Sequence, residues 1–303
     1  MSWRSAGSGC NDLWSTIETC SQHALDSGSL QPIRTREEII NHCGVNFIAR
    51  VVSSLAQKDN DRKRRTSGAV TGQTADPFLP HEPDLFVADI SDSHFCLLNK
   101  FSVIEHHVLI VTRRFEQQET LLNLRDFEAL WACMIQFDSL GFYNGGAAAG
   151  ASQPHKHLQL VPLPLSWSLP AVPIGALLAA DPGATVVAGL PFLHAVAWLE
   201  LSINTDPLEA ARICHGHYMT MLERVGIQGI ASADGLIQSL PYNLLVTRNW
   251  MLLIPRIREH FETISINALG YAGSFFLRDA RELQRVSHAG PMNILQAVAI
   301  SRT

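Results

Sequence analysis

Between Leu85 and Arg113 three short apolar runs, LFVADI, HFCLLNKF and HHVLIVTR, follow one another with only turn-length material between them. Parallel neighbours need a crossover connection, usually a helix, so runs this closely spaced read as consecutive antiparallel strands. Later come YNLLVT (Tyr242–Thr247), WMLLIP (Trp250–Pro255) and Ser265-Ile266-Asn267, again short and apolar. YNLLVTRNWMLLIPR repeats a plan seen in the first runs, an apolar strand, a polar turn and a second strand ending in arginine. It points to a second, related half of the sheet. Phe47–Ala56, with its β-branched residues, adds another strand.

Helical spacing appears elsewhere. Leu124, Phe127, Leu130, Trp131, Met134, Ile135 and Phe137 make a wide apolar face, which predicts a helix across 121–140 ended by Gly141. Helices are also expected around Asn11–Leu25, at Ala195–Leu199 and over Glu209–Val225, and Thr35 with Glu38 reads as a capping box opening a short helix at Arg36–His42. The expected class is therefore α+β, an antiparallel sheet with flanking helices. The proline-rich stretch Pro162–Pro191 divides it into residues 1–170 and 171–303.

Of the 303 residues 47% are apolar and 17% charged, enough for a well-filled core. The net charge of −5 gives no basic footprint for nucleic acid. No apolar run reaches the roughly 18 residues needed to cross a bilayer, so no membrane partner is expected. The six cysteines show no CxxC pair and read as reduced thiols of a cytoplasmic protein. Asp59–Pro77 reads as a polar loop, with a basic run at Arg62-Lys63-Arg64-Arg65 that is either solvated surface or a flap over a polyphosphate.

The chemistry concentrates at Gly150–Pro162, GASQPHKHLQLVP, after the small-residue run Asn144–Gly150. Side chains at i, i+2 and i+4 of a strand share a face, so His155, His157 and Gln159 line up toward one ligand. A glycine-rich turn offers backbone N–H groups that suit phosphate oxygens. A neutral imidazole is a competent nucleophile toward phosphorus, provided a partner fixes its tautomer and donors meet the non-bridging oxygens. His157 is placed for attack, a carbonyl of the small-residue turn for fixing its tautomer, and His155 and Gln159 for contacting the phosphate from either side. Two other readings stay open on the residues alone. One is a metal pair at His155 and His157, with His106 or His107 as a further ligand; the other is two buried structural histidines. Cys214, His215 and His217 lack the companion ligands of a zinc site.

Together these segments resemble the ATP adenylyltransferase family, the diadenosine tetraphosphate phosphorylases of the HxHxQ branch of the histidine-triad superfamily, beside galactose-1-phosphate uridylyltransferase. The pieces that carry it are NKF (Asn99–Phe101), HHVLIVTRRFEQQ (His106–Gln118), FYNGG (Phe142–Gly146), GASQPHKHLQLVPLP (Gly150–Pro164) and ISINALGYAGSFFLR (Ile264–Arg278). The resemblance implies two histidine-triad-like halves. It also implies phosphorolysis of diadenosine tetraphosphate to ATP and ADP through a covalent adenylyl-histidine on His157. By the same resemblance Asn144, Gly150, Ala151, Ser152 and Gln153 would hold the phosphates, Lys58 would reach the polyphosphate, and Asp89 and Ile90 would line the nucleoside pocket. Asn267, Ala268, Leu269, Ser274 and Arg278 would meet the second nucleotide. No bound cofactor or protein metal site is implied, while magnesium could accompany the nucleotide. A nucleotide sensor without turnover is the alternative of another class.

Overall fold

The computed structural model describes residues 12–52, 76–202, 204–233 and 235–302. Lys58 and the basic run Arg62-Lys63-Arg64-Arg65 lie outside them. Helix α1 (Leu13–Ser27) starts at Asp12, whose carboxylate accepts the Ser15 N–H, and stops at left-handed Gly28. The next segment departs from the expected helix at 36–42. It is strand β1 (Thr35–His42), paired residue for residue with β2 (Val45–Val52). The two-residue turn Cys43-Gly44 has positive φ at both positions, 51° and 77°, the hairpin geometry whose twist matches antiparallel strands. That pairing overrides the local Thr35/Glu38 signal.

The three short runs form β3 (Phe86–Asp89), β4 (His94–Leu98) and β5 (Val108–Thr112), antiparallel in sequence as expected. Helix α2 (Leu124–Met134) is shorter than its apolar spacing suggested, because Ser139 and Leu140 already belong to β6 (Ser139–Gly145). Gly141 lies inside that strand and does not end the helix: a Cβ there would sit 2.9 Å from Leu130 Cδ1, so the glycine lets α2 lie close on the sheet. A 3-10 turn at Ala147–Ala149 leads to β7 (His157–Pro162), and a short helix α3 (Gly175–Ala179) lies in the proline-rich stretch.

Ala195–Trp198 is strand β8, not a helix; its partner β12 supplies what four residues of local sequence do not. Helix α4 (Pro207–Arg224) and the exposed hairpin β9 (Gly229–Ser232) with β10 (Gly235–Gln238) follow. Next come β11 (Tyr242–Val246) and β12 (Trp250–Pro255), then the two-residue pair β13 (His260–Phe261) and β14 (Ile264–Ser265). Helix α5 (Ala268–Ala272), strand β15 (Ser274–Leu277), α6 (Ala280–Ala289) and α7 (Pro291–Val298) close the chain.

Eight strands form one antiparallel sheet in the order β3-β4-β5-β7-β6-β11-β12-β8, while β1, β2 and β15 make a smaller sheet. One face of the large sheet presents Cys96, Ile110, Leu158 and Leu160 to a core shared with residues of α1, α2 and α4. The opposite face is divided. Phe95, Leu97, Leu109 and Val111 cluster with Phe78 toward the β3 edge. Leu140, Phe142, Val161 and Leu245 join a larger core with Phe47, Phe275 and Leu295 toward the β8 edge. Cross-strand partners share a face, and the registers Val111↔His157 and Leu109↔Gln159↔Phe142 set His157 and Gln159 in the seam between these two clusters.

Candidate active site

The seam is built by β6, the turn after it, and the start of β7. Gln118, 1% exposed, clamps these together. Its Oε1 accepts the His157 N–H at 2.9 Å, and its Nε2 donates to the carbonyls of Asn144 and His157 at 2.9 and 3.2 Å. Gly150 joins the turn to the second half. Its φ is +88°, and a Cβ there would lie 2.8 Å from Asn267 Cβ and 2.9 Å from Asn267 Cα.

His157 is 4% exposed, and its Nδ1–H donates to the backbone carbonyl of His155 at 2.7 Å. The tautomer-fixing carbonyl is thus two residues upstream in the same motif, not in the small-residue turn. Nε2 has no hydrogen-bond partner among the described residues. Burial pulls the imidazole pKa down to about 4, with the His155 carbonyl opposing and the neighbouring His155 charge assisting. The ring is neutral at physiological pH, as a nucleophile must be. Phe78 stands edge-on to it at 5.2 Å.

Both ring nitrogens of His155, expected beside a phosphate, have protein partners. Its Nδ1 meets the Asp76 carboxylate at 2.8 Å, and its Nε2 lies 2.9 Å from both the carbonyl and the hydroxyl of Thr112. With both nitrogens occupied it braces the segment. Among the described residues no group of three or more His, Cys, Asp or Glu side chains is arranged to hold a metal ion. The next side chain, Lys156, turns the opposite way and is wholly buried; its Nζ reaches Asp126 at 2.7 Å, Glu116 at 3.2 Å and the Leu121 carbonyl at 3.1 Å. Burial of Asp126 works against its charge, but Lys156 and His94 outweigh it and hold the carboxylate below its usual pKa.

Gln159 Oε1 accepts from His107 Nε2–H at 3.0 Å, and His107 Nδ1 accepts from Asn99 Nδ2 at 3.0 Å. Burial lowers the His107 pKa to about 4, the Gln159 bond opposing and the neighbouring His157 charge assisting. His106 points elsewhere, to Ser21 Oγ at 3.1 Å on α1.

The other expected site residues fall into three groups. Asn144 is central: its Oδ1 accepts from Asn243 Nδ2 and from the Ala268 N–H, each at 2.9 Å, leaving its Nδ2 without a partner among the described residues. The turn, however, is less open than expected. The N–H groups of Gly146, Ala149, Gly150 and Ala151 are spent on turn carbonyls, whereas those of Ser152 and Gln153, and their side chains, take no partner among the described residues. Asn267 caps α5 by accepting the Leu269 N–H at 3.0 Å. The Ala268 and Leu269 N–H groups are therefore not free for phosphate; this segment fastens the second half to Asn144 and Gly150.

Asp89 lies in the cross-strand row Asp89–Phe95–Val111–His157, ion-paired with Arg113, whereas Ile90 does not join it and packs instead against the core on the opposite face of the sheet. Ser274 and Arg278, expected at the second nucleotide, are engaged by protein partners. Ser274 Oγ is buried against Arg50 Nε at 3.3 Å, and Arg50 pairs with Glu37 at 2.6 Å. The Arg278 guanidinium is engaged by Glu282 at 2.6 Å and the Thr263 carbonyl at 3.0 Å. The motif by itself does not assign Gln118, His107, Asn99 and Asp76 to these tasks. Gln118, His107 and Asn99 lie in the family-like segments, but only the strand register shows what they touch.

Residues 5–180 match the family described as the Ap4A phosphorylase N-terminal domain, and residues 188–301 the ATP adenylyltransferase C-terminal domain. Diadenosine 5',5'''-P1,P4-tetraphosphate phosphorylase 2 of Saccharomyces cerevisiae is 28% identical over 264 residues, 77% of each chain. Protein APA1 of the same yeast is 24% identical over 312 residues, covering 91% of this chain and 90% of its own. The crystal structure of yeast Ap4A phosphorylase Apa2 superposes with a TM-score of 0.74 at 22% identity, covering 96% of this chain and 98% of that one. Its complex with Ap4A gives 0.73 at 20% identity, with the same coverage. The superpositions establish a shared fold.

Proposed function

The chain belongs to the Ap4A phosphorylase family of ATP adenylyltransferases, and from that membership we propose that His157 is the nucleophile of a two-step phosphorolysis of diadenosine tetraphosphate. In the first step His157 Nε2 attacks an α-phosphorus. The Nε2–P bond forms, the bridging P–O bond breaks, and its electron pair leaves with ATP. In the second, an oxygen of inorganic phosphate attacks the adenylyl phosphorus, the N–P electron pair returns to the imidazole, and ADP departs. The observation that carries this is the His157 Nδ1–H bond to the His155 carbonyl, which leaves the Nε2 lone pair for attack. Ser152, Gln153 and the Asn144 amide support the reading as donors for phosphoryl oxygens, and Asp89, in the His157 row, as the nucleoside side of the pocket. Magnesium, in this scheme, travels with the polyphosphate as part of the substrate.

The test is His157→Ala. Phosphate-dependent release of ADP and ATP should fall by about three orders of magnitude or more, with an unchanged circular dichroism spectrum. An acid-labile adenylyl-protein adduct should form on the native protein and not on the variant. Full activity in a folded His157→Ala protein would refute the mechanism.

A further inference from the structure

Gln159 is an amide, and an amide can face a ligand with either its carbonyl oxygen or its NH2. The structure has the oxygen taken: Gln159 Oε1 accepts the His107 Nε2–H at 3.0 Å. The tautomer of His107 that this requires is supplied from behind, where Asn99 Nδ2 donates to Nδ1 at 3.0 Å. Asn99 is itself placed by its backbone N–H, which donates to the His107 carbonyl at 2.9 Å where β4 and β5 meet. The Phe142 ring stands 5.7 Å from the imidazole. His107 is 7% exposed and its lowered pKa keeps it neutral, so the relay runs in one direction, from Asn99 to His107 to Gln159.

We propose that His107 is a positioning residue that fixes the polarity of the Gln159 amide, so that the reacting phosphoryl group and its attacker meet only N–H donors there. The inference rests on the phosphorolysis reading and deepens it, since it addresses which nucleophile discharges the adenylyl-histidine. Water attacking phosphorus must give up a proton and needs an acceptor beside it. Phosphate dianion arrives with an unprotonated oxygen and excess charge, and needs donors. A Gln159 side chain held with NH2 inward helps the second and gives no lone pair to the first. In the phosphate reaction the new P–O bond replaces the N–P bond, whose electron pair returns to His157 Nε2, and the product is ADP. In the water reaction the product is AMP and a proton is released. Nothing in this depends on His107 touching substrate; it acts through Gln159 alone.

The ratio of AMP to ADP formed at saturating phosphate reads this out. In His107→Ala the Gln159 amide is released to turn, and the ratio should rise about tenfold, the worth of one such hydrogen bond. Gln159→Glu, which puts an acceptor at the same place, should raise it as well. His107→Gln, whose Nε2 can still donate to Gln159 Oε1, should bring the ratio back toward the native value. A role confined to packing would lower total turnover without moving the ratio. A native-like ratio in folded His107→Ala overturns the proposal, whether or not Gln159→Glu raises it. Should the variants fail to fold, long-range proton–nitrogen NMR on the native protein decides. The proton must be on His107 Nε2, and finding it on Nδ1 overturns the polarity. That measurement needs no turnover, so it stands even if phosphate-dependent ADP release is absent and the phosphorolysis reading fails.

Discussion

A histidine serves as a phosphorus nucleophile only while one nitrogen is bare and unprotonated, and both conditions at His157 come from neighbours. The His155 carbonyl holds Nδ1–H, and burial lowers the pKa to about 4. His107 is shifted the same way, to about 4. In the unfolded chain both titrate near the ordinary 6.5. Their contribution to stability is therefore complete above about pH 6.5 and is lost as the pH falls toward 4, where the unfolded state binds the extra protons. For the pair this loss is on the order of a few kcal/mol. Ring resonances of His157 followed by NMR should keep their neutral positions at pH 5.5, and a midpoint near 6.5 would contradict the burial argument. HxHxQ pointed to this residue from the sequence, and did so correctly in placing His157 and Gln159 on one face. It could not show that His155 is fully engaged by Asp76 and Thr112, because those partners come from distant segments.

At the level of elements, what was legible depended on whether a segment carries its own pattern. β3, β4, β5, β11 and β12 announce themselves by apolar runs and turn-length gaps, and α1 and α4 by helical spacing. β1 and β8 do not; they are strands because β2 and β12 offer them a register, and that information is not local. The same limit hid the support beneath the motif. Lys156 is the odd member of PHKHLQ, turned away from the seam to join Asp126 in the capping box of α2. It fixes the approach to β7 against the start of that helix. Lys156→Met keeps most of the volume but takes the cation from a wholly buried carboxylate, leaving it only His94 and the Asn123 N–H, and should cost about 2–4 kcal/mol in denaturant unfolding. Adding Asp126→Asn should recover part of that loss. A cost below about 1 kcal/mol for the single variant would show that the pair is not a fastening point.

At the scale of the molecule, the site depends on the halves being one body. The repeated strand–turn–strand plan in the sequence suggested two related halves, but not that β6 and β11 lie side by side and merge them into a single sheet. Asn144 and Asn243 face each other across that junction. Asn243 Nδ2 also donates to the Ala149 carbonyl at 2.8 Å, and its Oδ1 accepts from buried Arg256. Arg256 in turn donates to the carbonyls of Val298 at 3.1 Å and Ile266 at 2.9 Å. A chain of hydrogen bonds therefore runs from the turn after β6 through the junction to the C-terminal helix, in a region where unsatisfied groups are costly. Neither half can open without exposing the apolar rows of the other, so β6–β7 and β11–β12 should belong to one cooperative unit. Native-state hydrogen exchange across a denaturant series should give Ser139–Gly145 and Tyr242–Val246 the same opening free energy and the same denaturant slope. Asn243→Ala should lower both together, even though it lies outside the motif. If β11–β12 instead opens at lower energy while β6–β7 stays protected, the junction is an interface between separate bodies, and residues beyond it hold the His157 seam only loosely.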